Sequence, residues 1–160
     1  ADVLERVALS CGNDREGLYR AIAGGFMLSA DNAHAVHPDN PEKSDPTNRC
    51  YLNEGVVVKH SPRYASDALT AGVFQAICQK AGVPVQVYYN NSRIPGGGTL
   101  GNLSGSHVAL PTVDIGLPQL SMHSPYETAG AKDLEYMVQA MEAFYQTVLT
   151  VTGQDAYEIS

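Results

Sequence analysis

Thiols, basic side chains and long apolar runs are all scarce in this sequence. Three cysteines, Cys11, Cys50 and Cys78, stand far apart. Their odd number and the lack of a Cys-x-x-Cys pair exclude a disulfide scaffold and a zinc ribbon, and they predict a reduced, cytoplasmic protein. Lysine and arginine total 10 against 17 acidic residues, a net charge of -7. With no basic cluster to neutralise phosphates, nucleic acid is excluded as a partner. No apolar run reaches the ~18–20 residues of a membrane-spanning helix, so no membrane partner is expected. The opening Ala-Asp-Val-Leu-Glu-Arg has no basic stretch followed by an apolar one, so no signal peptide is read there. With no initiating methionine, it reads as part-way along a longer product.

Several catalytic signatures are missing as well. The glycine run Gly96-Gly97-Gly98-Thr99 lacks the Gly-Lys-Ser/Thr ending of a phosphate loop, and no Gly-x-Gly-x-x-Gly follows a strand. There is no Gly-x-Ser-x-Gly, and no cysteine sits in a nucleophile-like setting. An acyl- or phosphate-transfer enzyme built on the glycine run therefore has neither a nucleophile nor a basic partner.

With 44% hydrophobic residues in 160, the chain suits one globular domain with a substantial core. Val3, Leu4, Val7 and Ala8 follow helical spacing up to Gly12. A second helix, capped by Asn13 or Asp14, runs toward Ala23. Phe26 to Ala30 reads as a short buried strand. Pro38 to Asn53, with three prolines and no periodicity, reads as a long functional loop. Gly55 to His60 is a β-branched strand, followed by a helix capped by Ser66 and closed by Gly82. Strands follow at Pro84 to Tyr89 and Pro111 to Gly116, with a small-residue helix between them. Ser124-Pro125-Tyr126-Glu127 reads as a capping box, Lys132 to Leu149 as a helix with Leu134, Met137, Val138, Met141, Phe144, Tyr145 and Val148 on its apolar face, and the tail after Gly153 as frayed. The order predicts an α/β domain: a largely parallel sheet with helices on both faces.

Chemistry is expected at the carboxyl ends of strands. Asp31, His34 and His37 follow the first strand in Ser29-Ala-Asp-Asn-Ala-His-Ala-Val-His-Pro38, and His123 follows a later one. Carboxylate oxygen and imidazole nitrogen are zinc donors. On spacing alone, a turn cap and locally bonded histidines explain these residues equally well. Lys59-His60 ends a strand in the same register, where a lysine can hold a carboxylate as a point charge.

Together these segments resemble the M18 family of zinc aminopeptidases, of the aspartyl aminopeptidase type. The match runs from about Leu18 to Tyr145. It is carried by Ser29 to Pro38, by Lys59 with Arg63-Tyr64, by Gly97-Gly98-Thr99-Leu100-Gly101, and by Asp114-Ile-Gly-Leu-Pro-Gln-Leu-Ser-Met-His-Ser124. The resemblance implies part of a zinc-peptidase catalytic domain, a cocatalytic site of two Zn2+ held by five protein ligands, and peptide substrates with an acidic N-terminal Asp or Glu. Asp31 would bind one metal ion and His123 the other. Lys59 would face the acidic side chain. Tyr64, Gly98 and Thr99 would line the pocket, with His34 and His37 behind the ligands or on the pocket wall. Cobalt and manganese suit similar donors.

The family pattern also includes an earlier histidine ligand, a bridging aspartate, a Glu-Glu pair and an inserted dimerisation domain. No Glu-Glu dipeptide occurs here. The resemblance therefore implies the C-terminal portion of the enzyme, residues 1–160, with no general base of its own. By itself it should bind zinc weakly and leave peptides uncut. Its partners would be the remainder of the peptidase chain and, at full length, further copies in a homo-oligomer. Two other readings compete: an M42-type glutamyl or leucyl aminopeptidase, and a non-catalytic binding or assembly module. An exposed apolar surface separates a domain fragment from an independent module.

Overall fold

The computed structural model describes residues 1–160. Helices α1 (Asp2–Ser10) and α2 (Arg15–Ala23) form an opening hairpin. Asp14 caps α2 by accepting the Gly17 N–H at 2.8 Å. Strand β1 (Met27–Ala30) leads through Asp31 and Asn32 into the short β2 (Ala33–His34). After the Pro38–Asn53 stretch, which holds only one short turn of 3-10 helix at Pro41–Lys43, come β3 (Val56–His60), α3 (Ala68–Ala81) and β4 (Val85–Tyr89). The remaining elements are α4 (Leu100–His107), β5 (Thr112–Gly116), β6 (Pro118–Leu120), β7 (Thr128–Ala129), α5 (Ala131–Gln146), β8 (Leu149–Gly153) and β9 (Ala156–Ile159).

The central sheet has the order β1-β5-β3-β4. β1 pairs parallel with β5 and β3 parallel with β4, while β3 and β5 are antiparallel. Strand alternation sorts the side chains. Val56, Val58, Val113 and Ile115 meet Ala71, Phe74 and Cys78 of α3 and Met137 and Ala140 of α5 in the main core. Val57, Lys59 and Asp114 therefore face the other side, where Val57 joins Ala33, Cys50, Tyr88 and Tyr64 and where Gly101 of α4 abuts the Asp114 carboxylate. Helices thus cover both faces, as the sequence predicts.

Four local expectations need correction. Asp67, not Ser66, caps α3. Its carboxylate accepts the Thr70 N–H at 2.7 Å while the Thr70 hydroxyl accepts the Asp67 N–H at 3.0 Å. Ser66 instead accepts the Asp114 N–H at 2.8 Å, tying its loop to β5. Ser124 to Glu127 caps no helix, because Glu127 turns back to accept the His123 N–H at 2.6 Å. The tail is ordered as the β8–β9 hairpin, and Tyr157 packs edge-on against Phe26 with ring centroids 5.9 Å apart. On α5, Leu134, Val138 and Tyr145 are exposed, so the apolar face is wider than the core that covers it.

Candidate active site

Asp31 is delivered to the carboxyl end of β1 by pairing with β5, through its own N–H to the Ile115 carbonyl at 3.0 Å. Gly116 lies directly beside it: a Cβ there would run into the Asp31 carbonyl oxygen and the Asn32 backbone. This close approach lets the chain step from the central sheet into the small sheet β2-β6-β7. β2 and β6 pair parallel, Ala33 against Pro118 and His34 against Gln119. His123 sits in the turn after β6 with φ 67°, a left-handed backbone that few side chains adopt without support. The Glu127 carboxylate supplies that support at the His123 N–H.

His34 and His123 come near one another. Burial lowers the His34 pKa, and the charges of His123 and then Lys59 lower it further, so His34 favours its neutral form. Asp31 and His123 are both exposed. Their carboxylate and imidazole suit zinc chemically, but nowhere in the chain do three or more His, Cys, Asp or Glu side chains converge. This donor set does not hold a metal ion by itself.

A cavity of about 360 Å³ opens beside these residues. His34, His37, Tyr64, Tyr88, Lys43 and Gln119 line it, together with Gly96 and Gly97. His37 and Tyr64 are both on its wall. From the glycine run, Gly96 and Gly97 reach the cavity, while Gly98 and Thr99 do not line it, and Thr99 is buried as the residue before α4. Asp31 and His123 lie outside the lining too.

Lys59 is held against the corner that follows β1. Because β3 runs antiparallel to β5, its carboxyl end points away from the end that carries Asp31. Lys59 is 2% exposed and reaches back across the sheet, donating to the Asp31 carbonyl at 2.8 Å and the Asn32 carbonyl at 3.3 Å. Its ammonium stands over the Tyr64 ring, 5.4 Å from the centroid. Burial pulls its pKa down, opposed by the charges of Asp31 and Asp114.

Sequence reasoning assigned no role to Asp114 or Lys43, and it read Glu127 as part of a capping box. Asp114 is fully buried, accepts the Ala65 N–H at 2.6 Å, and leaves Oδ1 without a hydrogen-bond partner. The signal was there: a carboxylate between Val113 and Ile115, in a strand buried along its whole length, has to be held by something.

The fold places the chain in a family of metallopeptidases. A family model described as "Aminopeptidase I zinc metalloprotease (M18)" matches residues 1–145, and the chain is a member of the M18 peptidase family. The family match decides between the M18 and M42 resemblances in favour of M18. A "Probable M18 family aminopeptidase 2" of Clostridium acetobutylicum is 46% identical over 147 residues, covering 91% of this chain and 34% of the relative. A protein of the same description from Mycobacterium tuberculosis is 41% identical over 152 residues, covering 94% of this chain and 35% of the relative. Among solved structures, the cryo-EM structure of the Ape4 and Nbr1 complex contains a chain that matches with a TM-score of 0.82 and 34% identity, over 91% of this chain and 28% of that one. The mApe1 dodecamer of S. cerevisiae matches with a TM-score of 0.67 and 28% identity, over 76% of this chain and 26% of that one. The chain spans about a third of the length of the curated relatives it matches.

Proposed function

We propose that the protein releases acidic N-terminal residues from peptides, as part of a metallo-aminopeptidase that uses two zinc ions. The observation that carries this reading is the cavity. In a chain with net charge -7, its lining contains no aspartate or glutamate, while Lys43, His34 and His37 all contribute. A ligand carboxylate entering there meets cationic or neutral donors and no like charge, the arrangement that selects for acidic groups. Asp31 and His123 would supply two of the metal ligands, the others and the general base coming from the part of the relatives this chain does not span. Zinc held by the completed ligand set would supply Lewis acidity for the hydrolysis. His37 and Tyr64 bound the pocket, and His34 stands beside His123, where its neutral ring can orient a neighbouring ligand.

The exposed apolar residues support a larger assembly over an independent module. Val3, Leu4, Val7 and Leu9 on α1, and Leu134, Val138 and Tyr145 on α5, are uncovered. Such surfaces mark contact sites, here for the remainder of the catalytic domain and for further copies of the protein. Cytoplasmic residence fits the three free thiols, of which Cys11 is exposed. No helix is long and apolar enough to cross a membrane.

The test is release of aspartate and of leucine from otherwise identical peptides by the full-length protein, before and after chelation and zinc return. Zinc-dependent release that favours aspartate is expected. A preference for leucine, or release unaffected by chelation, would contradict the proposal.

A further inference from the structure

We infer that Asp114 is a positioning residue, which holds from inside the sheet two of the segments that line the cavity. It is fully buried on β5 and absent from the lining, so it acts only through its neighbours. The first segment is the loop between β3 and α3. The Asp114 carboxylate accepts the Ala65 N–H at 2.6 Å, and the Ser66 hydroxyl accepts the Asp114 N–H at 2.8 Å. The Ala65 N–H has no main-chain acceptor, so this carboxylate is what satisfies it. Tyr64, on the cavity wall, directly precedes the two tied residues. The second segment is the glycine run, which enters α4 through Thr99. The Thr99 side chain makes no capping bond to that helix. The Asp114 carboxylate lies against its first turn instead: a Cβ on Gly101 would stand 2.8 Å from Oδ1 and 2.9 Å from Oδ2. Negative charge is stabilising at the first turn of a helix. Oδ1, which has no hydrogen-bond partner, gains its stabilisation there and seats α4 on the sheet. Gly96 and Gly97, which line the cavity, lead into the helix seated in this way. Two bonds nearer the surface complete the unit. The Asn102 side-chain amide donates to the Arg63 carbonyl, and the Arg63 guanidinium donates to the Gly96 carbonyl at 2.8 Å. One buried carboxylate thus sets Tyr64 and the glycine run relative to one another.

The kinetic part of this inference rests on the proposed function, and the remainder does not. Amide hydrogen exchange of the full-length protein, read residue by residue, tests the tie itself. The wild-type Ala65 amide should exchange about a hundredfold more slowly than an unprotected loop amide. In the D114A variant it should exchange about tenfold faster than in the wild type, with the amides of Val56 to Val58 unchanged. D114N keeps a side-chain carbonyl that can accept the Ala65 N–H, so its rate should stay within about threefold of the wild type. An Ala65 amide that is unprotected in the wild type, or as protected in D114A as in the wild type, would overturn the inference. Kinetically, D114A should raise KM for aspartyl and leucyl substrates alike, by about fivefold or more, with kcat changed less than about twofold, and D114N should restore most of the loss. A fall in kcat with KM unchanged would overturn the inference. If D114A does not fold, S66A removes the second tie and leaves the carboxylate; it should raise KM by about twofold or more, and an unchanged KM there would overturn the inference as well. If the wild-type protein cleaves neither substrate, the proposed function falls, and exchange still decides the role of Asp114.

Discussion

Gly116 and the Asp31 carbonyl oxygen are packed so closely that no side chain fits between them. Gly116 ends β5 and Asp31 follows β1, so this contact sets where the Asp31 side chain emerges. The G116A substitution should destabilise the fold by about 2 kcal/mol or more, the cost of forcing an atom into packed main chain. Thermal denaturation checks this, and an unchanged melting temperature would remove the contact from the account.

Asp133 ties the start of α5 to the start of β3. Its buried carboxylate accepts the Asn53 N–H at 2.6 Å and the Gly55 N–H at 2.9 Å. The D133A substitution leaves both donors unpaired and should cost about 2–3 kcal/mol. D133N retains one good acceptor and should cost clearly less. Equal melting temperatures for the two variants would show that the carboxylate is not what holds the loop.

Elements with their own local signals were legible in the sequence. Val56-Val57-Val58, with β-branched side chains to both faces, could only be a buried strand, and Gly82 at φ 71° ends α3 where a glycine was expected. Tertiary direction was not legible. Nothing local says that β3 runs antiparallel to β5, and that single fact turns the carboxyl end of β3 away from the end of β1 that carries Asp31. The tail was misread for a different reason. Thr150-Val151-Thr152 and Tyr157 carry strand preference, but the hairpin is held by Phe26 and by Lys80, whose ammonium donates to the Ile159 carbonyl at 2.7 Å, both remote in sequence. At the site, the motif that holds Asp31, His34 and His37 was visible, whereas Lys43 was hidden in a polar loop among residues of similar character.

Acid should weaken the fold partly through His60. Its ring stacks on Tyr89 at 5.0 Å, and burial lowers its pKa from the ordinary 6.5, with a smaller opposing pull from Asp67. The unfolded chain therefore binds this proton more readily than the folded one. The contribution is fully present above about pH 6.5 and is lost as the pH falls through the lower, folded value. Denaturant midpoints between pH 8 and pH 5.5 should fall less steeply for H60F, which keeps the stacked ring and removes the titration. Parallel pH profiles for the two proteins would rule His60 out.

Asp31 and His123 should both matter for metal content at full length. D31N and H123A should each lower zinc stoichiometry, read by elemental analysis after dialysis, while the 160-residue chain alone should retain little. Full zinc content in either variant would exclude that residue as a ligand.

The central claim is that the carboxylate-free cavity selects an acidic group, and the most direct measurement is the ratio of kcat/KM for aspartyl over leucyl substrates in the full-length wild type and in K43M. The account predicts a wild-type preference for the aspartyl substrate that shrinks by about tenfold or more in K43M, the loss of one charge-assisted hydrogen bond, with the leucyl substrate unaffected. A wild-type ratio below one, or a ratio unchanged by K43M, would contradict it.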